Sequence, residues 1–175
     1  MKKIRITSGK YRSQIINSPE SSLTHPMGSR EKLALFNMIS GYLTGAKVLD
    51  AFAGSGALGI EALSRGADNV TFIENDASVV KVLAENVNKI GVSSQAKIKK
   101  MKVENYIDGE KFDLILADPP YDNFKIDEVK HLINYLRDDG IFVLSHPSEI
   151  KEFPGLRLLN NNKYAGAYIS VYAKI

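Results

Sequence analysis

The chain has 175 residues, 44% hydrophobic and 25% charged, which excludes disordered and fibrous classes and fits one ordinary domain with its own core. It has no cysteine, so disulfides, zinc–thiolate sites, iron–sulfur clusters and thiol nucleophiles are excluded together. No apolar run approaches the roughly 20 residues of a membrane-spanning helix. The basic start lacks the apolar stretch of a secretion signal, so a cytoplasmic protein with no membrane partner is expected.

The net charge of +3 hides an asymmetry. Residues 1–50 hold eight basic side chains against three acidic ones, and the rest of the chain is slightly acidic. Lys2, Lys3, Arg5, Lys10 and Arg12 precede the first acid, and Arg30 follows. Charge alone admits two readings, a grip on a polyanion or a solvated terminus.

Residues 4–16 read as two short strands around Ser8-Gly9-Lys10, a hairpin-like appendage with its basic side chains exposed. Residues 17–28 are loop-like, and Ser29 is placed to cap a helix carrying Leu33, Phe36, Met38, Ile39 and Leu43. From residue 46 strands and helices alternate. Buried strands are expected at 47–49, 70–73, 114–117 and 141–144, with helices at 57–65, 76–90 and 126–137. A lysine-rich strand at 97–102 and a closing pair at 156–161 and 168–173 complete the series. Asp138-Asp139-Gly140 reads as a helix-to-strand turn. The pattern predicts an α/β domain, a mostly parallel sheet with helices on both faces and an antiparallel finish.

The first βα junction is Asp50-Ala-Phe52-Ala-Gly54-Ser55-Gly56-Ala-Leu-Gly59, a G-x-G-x-x-G between a strand and a helix. Such a loop lets a ligand approach the backbone and the free N–H groups of a helix start. Glu74 ends the next strand, where an acid can accept hydrogen bonds from ribose hydroxyls. A dinucleotide and S-adenosylmethionine both fit this much. Asp50 separates them, because its carboxylate would repel a pyrophosphate and attract the cationic amino-acid end of S-adenosylmethionine. The wording of residues 48–56 resembles motif I of class I S-adenosylmethionine-dependent methyltransferases.

Asp118-Pro119-Pro120-Tyr121 ends another buried strand. The prolines stiffen the turn and leave carbonyls as acceptors. An Asp carboxylate and a rigid carbonyl can together accept both protons of a planar amine, while Tyr121 offers a face for a base to stack on. Holding the amine this way exposes electron density toward an electrophilic methyl group, so positioning and electrostatics carry the chemistry. The four residues resemble motif IV of amino-methyltransferases acting on adenine, cytosine or guanine.

The rest of the chain resembles one branch of that class. Arg5-Ile-Thr-Ser-Gly9-Lys10-Tyr-Arg12 is similar to the opening hairpin of RsmD-type 16S rRNA guanine-N2 methyltransferases. Thr24-His-Pro26, Arg30, Ala34-Leu-Phe36-Asn37, residues 52–67, residues 112–121 and Lys163-Tyr164-Ala-Gly166 resemble further segments of the family. The resemblance implies a Rossmann-like class I methyltransferase fold with a seven-stranded sheet. It divides the chain into an RNA-binding extension, residues 1–28, and a methyltransferase domain, residues 29–175. It implies transfer of one methyl group to the N2 amine of a guanine in 16S rRNA, with S-adenosylhomocysteine as product; the substrate is naked RNA or a 30S ribosomal particle, and a monomer suits so large a partner. Asp118, Pro119, Pro120 and Tyr121 would be catalytic. Asp50, Phe52, Gly54, Ser55, Gly56, Glu74, Val103 and Asp118 would hold the cofactor. Lys2, Lys3, Arg5, Lys10, Arg12 and Arg30 would contact RNA. The segment around Thr24 to Arg30 would lie over the active site.

The chain departs from the family at three places. His25 replaces Arg, which weakens an anion clamp and makes it pH-sensitive. Met27-Gly28-Ser29 replaces a more polar stretch, and Lys102 stands where an Asp commonly meets the adenine amine, leaving that contact to the Val103 backbone. Glu61 reads as a structural acid near the glycine loop. Lys97, Lys99, Lys100 and Lys102 read as an edge-protecting row that could also touch phosphates. His131 and His146 lack metal-ligand spacing, and no metal is expected. Rival readings are an amino-methyltransferase of another RNA or DNA base, an NAD-dependent oxidoreductase, which Asp50 disfavours, and a noncatalytic RNA-binding assembly factor.

Overall fold

Seven strands form one sheet, in the spatial order β5 (Ala96–Lys100), β4 (Asn69–Glu74), β3 (Lys47–Asp50), β6 (Phe112–Ala117), β7 (Leu136–His146), β9 (Ala167–Lys174) and β8 (Leu156–Tyr164). The computed structural model describes residues 2–19, 27–150, 152–164 and 166–175. Strands β3, β4, β5, β6 and β7 run parallel. Strand β9 pairs antiparallel with β7, and β8 closes against β9. This is the Rossmann-like class I methyltransferase sheet.

The near-continuous apolar runs are explained by burial on both faces. Val48, Leu114, Leu116, Ile141 and Val143 join the core under the helices α1 (Ser29–Met38), α2 (Ala57–Ser64) and α3 (Ala77–Ile90). Leu49, Ile115, Phe142 and Leu144 point the other way, into a second core with Val129 of the short helix α4 (Asp127–Lys130) and Leu132 beyond it. Helix α3 has the clearest amphipathic stripe, Val79, Leu83, Val87 and Ile90. The Asp76 side chain caps its start, and Gly91 ends it in the left-handed conformation.

The N-terminal strands β1 (Lys3–Arg5) and β2 (Ile15–Asn17) make a separate antiparallel pair. They are more than an appendage. Ile4, Ile6 and Ile16 belong to the same core as α1, α2 and α3. Residues 8–11 dock on the end of α2, where the Lys10 N–H donates to the Ser64 carbonyl at 2.7 Å and the Ser64 hydroxyl donates to the Ser8 carbonyl at 2.6 Å. Gly9 makes this approach possible, since a Cβ there would stand 1.8 Å from the Ser64 carbonyl oxygen.

Several local expectations are corrected. Ser29 is the first helical residue of α1, and Gly28 takes the cap position with no side-chain hydrogen bond. The extended Gly28 backbone already presents its carbonyl to the Lys32 N–H, so the turn into the helix precedes Ser29. The helix expected at 126–137 shrinks to α4 and a 3₁₀ turn over His131–Tyr135. Its spacing of Val129, Leu132 and Leu136 serves burial, but Leu136 is already in the sheet beside Phe112. Asp138-Asp139-Gly140 therefore lies inside β7, at a register shift against β6, with Asp139 at φ 62°. The lysine-rich strand stops at Lys100.

The lysines of the outer strand β5, and Lys102 just beyond it, lie close to acids. Lys99 bridges Asp108, Lys97 lies 4.0 Å from Glu110, and Lys102 lies 3.4 Å from Glu104. That supports the edge-protecting reading. His146 is buried, with Nε2 2.8 Å from the Ser170 hydroxyl and its ring stacked on Tyr168. Among the described residues, no helix is long and apolar enough to cross a membrane.

Candidate active site

In an open parallel sheet, ligands bind beyond the carboxyl ends of the strands where the order reverses. Here that point lies between β3 and β6, the first followed by the glycine loop and the second by Asp118. Alternation along the strands matters. Val48, Leu116 and Val143 all face the α2 side, so Asp50, Asp118 and Ser145, each two residues further on, fall on that same side. Three polar groups from three strands thus gather at one end of an otherwise apolar layer.

Asp50 is 1% exposed, and its Oδ2 accepts the Gly59 N–H at 2.9 Å. Its Oδ1 is buried with no hydrogen-bond partner among the described residues. Burial pushes the carboxyl pKa up to about 7 against the opposing Gly59 bond, and the Asp118 and Glu74 charges push it further the same way. An orphaned buried oxygen near two other carboxyls is the environment a ligand ammonium relieves.

Glu74 organises the neighbouring loops. Its Oε2 accepts the Gly54 N–H at 3.0 Å, while Oε1 accepts the N–H groups of Asn75 and Asp76 at 2.7 and 2.9 Å. A carboxylate has about four acceptor directions, so one remains for a ribose hydroxyl. Gly54 and Gly56 both have positive φ, and a Cβ at Gly54 would meet nothing within 4 Å, which leaves its backbone open to a ligand. Ser55 is buried between them, its carbonyl held by the Asn86 amide at 2.8 Å. Phe52 and Val103 belong to the second core, where they could floor an adenine slot.

Asp118 is half-buried, and its carboxyl pKa is pushed up to about 6 by burial, against hydrogen bonds from Ser145 and Tyr121. The Tyr121 phenol shares a short hydrogen bond with the Ser145 hydroxyl, which fixes the ring. Pro119 is buried and Pro120 exposed.

The sequence family described as "Conserved hypothetical protein 95" matches residues 4–173. The chain belongs to that family. It is 30% identical to "Putative rRNA methyltransferase YlbH" of Bacillus subtilis over 98% of this chain and 99% of that protein. It is 34% identical to "Ribosomal RNA small subunit methyltransferase D" of Escherichia coli K12 over 78% of this chain and 68% of that one. A solved Escherichia coli structure described as "Putative methyltransferase yhhF" superposes with a TM-score of 0.89 at 26% identity, covering 99% of this chain and 98% of that one. The chain is a class I S-adenosylmethionine-dependent methyltransferase. The site of this methyltransferase fits its cofactor: Asp50 Oδ1 lacks a partner among the described residues, Glu74 has an acceptor to spare, and the Gly54 backbone is open.

Asp50, Gly54, Ser55, Gly56, Glu74 and Asp118 therefore surround the carboxyl ends of β3, β4 and β6. The expected RNA contacts lie elsewhere. Lys2, Lys3, Arg5, Lys10 and Arg12 are exposed on the N-terminal hairpin, and Arg30 is exposed on α1. Thr24, His25 and Pro26 lie outside the described residues.

Glu61 is a structural acid, but it ties the hairpin to α1 and to the end of α2. It accepts the Thr7 N–H at 2.9 Å, the Thr7 hydroxyl at 2.6 Å and the Ser8 N–H at 3.1 Å. The ammonium of Lys32, 1% exposed, lies 3.1 Å from it, and the Arg65 guanidinium donates to it at 2.9 Å. These bonds hold its carboxyl below the usual range in spite of burial.

Sequence reasoning overlooked Ser145 and Asn86. Each left a faint signal: a serine closing an apolar strand beside the Asp-Pro-Pro-Tyr strand, and an asparagine within the apolar stripe of α3.

Proposed function

We propose that this methyltransferase modifies the N2 amine of a guanine in small-subunit rRNA. The observation that carries the reading is Asp118-Pro119-Pro120-Tyr121 at the strand-order reversal, on the same side as the orphaned Asp50 oxygen. When bound, S-adenosylmethionine supplies an electrophilic methyl group. The Asp118 carboxylate and the Pro119 carbonyl accept the two amine protons, and the Tyr121 ring stacks on the flipped base. The amine must then lose one proton, and an Asp118 oxygen is the nearby acceptor. The similarity to "Ribosomal RNA small subunit methyltransferase D" supports the rRNA substrate. Exposed Lys2, Lys3, Arg5, Lys10, Arg12 and Arg30 would serve as phosphate contacts.

The test supplies labelled S-adenosylmethionine with naked 16S rRNA, with 30S particles lacking guanine-N2 methylation, or with duplex DNA, and maps the labelled nucleoside by mass spectrometry. Label at N2-methylguanine in rRNA, lost in Asp118→Ala, is the expected result. Label on another base, or on DNA, would replace the substrate assignment. Undiminished transfer by Asp118→Ala would defeat the mechanism.

A further inference from the structure

Ser145 is 1% exposed and ends the run Ile141 to Leu144, four fully apolar residues in the centre of the sheet. The register of β6 and β7 pairs Ala117 with Leu144, so Ser145 is carried next to Asp118. On its other side β9 presents Ile169, which offers no side-chain hydrogen-bond partner. The Ser145 hydroxyl instead shares a hydrogen bond with the Tyr121 phenol, and the register of β6 and β7 sets both beside the Asp118 carboxylate, whose charged form they favour.

The donor inventory then constrains the bonds. A carboxylate only accepts, and each hydroxyl has one proton. With Asp118 ionised, one hydroxyl of the Tyr121–Ser145 pair donates to it and the other donates to its partner hydroxyl. One acceptor direction of Asp118 is occupied and oriented, leaving the remaining carboxylate lone pairs for a substrate.

We propose that Ser145 is a positioning residue, whose hydroxyl fixes the Asp118 carboxylate and the Tyr121 ring as one unit facing the base amine. This deepens the proposed amine methylation, but the positioning itself is a property of the protein without substrate. Removing the hydroxyl frees the carboxylate to rotate and takes away a donor that favours its charged form. The other charged group coupled to this corner is Asp50 at the end of β3, with Glu74 beyond it on β4. His146, next along β7, is occupied by Ser148 and Ser170.

The test compares wild type with Ser145→Ala and Ser145→Thr in two measurements. The first follows the Asp118 carboxyl by NMR titration of protein labelled with carboxyl-13C aspartate, assigned by loss of the signal in Asp118→Asn. Ser145→Ala should raise the Asp118 midpoint by about one pH unit or more, and Ser145→Thr, which keeps the hydroxyl on a β-branched side chain suited to a strand, should restore it. The second follows methyl transfer to the 30S particles. Ser145→Ala should lower kcat about 10- to 100-fold and move the acid limb of the pH profile upward, with KM for S-adenosylmethionine changed less than about threefold. An unmoved Asp118 midpoint in a folded Ser145→Ala protein overturns the proposal, whatever the substrate proves to be. If Ser145→Ala fails to fold, Tyr121→Phe takes its place, because loss of the phenol should loosen the unit and raise the midpoint, and an unmoved midpoint there overturns the proposal equally. Wild type that transfers nothing to rRNA would sink the substrate assignment and leave the titration result to stand or fall alone.

Discussion

The Asn86 side-chain amide donates to the Ser55 carbonyl and to the Asn17 carbonyl, both at 2.8 Å, and its oxygen accepts the Asn17 N–H at 2.9 Å. One buried side chain on α3 therefore joins the cofactor loop to the strand leaving the N-terminal hairpin. Replacing it by alanine leaves the buried Ser55 carbonyl without this partner, at about 1–3 kcal/mol, and gives the two half-buried Asn17 groups over to water. Asn86→Ala should lower the melting temperature by several degrees and weaken S-adenosylhomocysteine binding, measured by calorimetry. Unchanged affinity would show that the loop keeps its shape without this link.

Glu61 should behave as the joint between hairpin and domain. Glu61→Ala strands the buried Lys32 ammonium and removes acceptors from Thr7, Ser8 and Arg65. Breaking a buried ion pair from one side costs about 3–5 kcal/mol. Chemical denaturation should show a loss of that size, with early proteolysis in residues 2–17. A loss under about 1 kcal/mol would mean that water reaches and solvates the network.

Gly9 tests the docking of the hairpin on α2 without touching any charge. An alanine there would need φ +83° and would place its Cβ against the Ser64 carbonyl, so Lys10 and Tyr11 must move away. Gly9→Ala should speed amide hydrogen exchange at Lys10 and Tyr11 and cost about 1–3 kcal/mol. Retained protection at both amides would refute the tight seat.

The raised pKa of Asp50 predicts opposite pH trends for stability and for binding. Between its ordinary value of 3.8 and about 7, the folded protein holds a proton that the unfolded chain has released. Stability from this group is therefore present at low pH and lost as pH rises toward about 7, and Asp118, raised to about 6, acts in the same direction. A ligand ammonium prefers ionised Asp50, so S-adenosylhomocysteine affinity should rise through about pH 7 with proton release. Calorimetry in buffers of different ionisation enthalpy measures that proton. Affinity independent of pH from about 5.5 to about 8 would place the ammonium away from Asp50.

Much of the architecture is readable in the chain because burial on both faces writes the parallel strands as short apolar runs. The glycine loop, Asp50, Glu74 and Asp118-Pro119-Pro120-Tyr121 are also legible, since each sits at a strand end and carries a side chain that a plain turn does not need. The segment after residue 126 is misleading, because Val129, Leu132 and Leu136 satisfy burial equally in a helix or in a short turn feeding a strand. The expected Ser29 cap fails for a similarly local reason, as a one-residue difference in where the backbone turns moves the cap to Gly28.

By itself the sequence determined a cysteine-free α/β domain, the succession of its strands along the chain and the two motifs at their ends. The tertiary structure decided how the basic N-terminus is held. Lys32 and Glu61, ordinary charges in the sequence, became a buried pair because α1 and α2 meet over the hairpin. It also decided which polar groups converge: Ser145 lies far beyond Asp118 in the chain, and the parallel register of β6 and β7 makes them neighbours. Local pattern encodes which face a side chain takes, whereas long-range pairing determines what it finds there. The modest overall charge of +3 thus resolves into an exposed basic hairpin, seated by buried carboxylate bonds, and an apolar layer with three polar residues at its ligand-facing end.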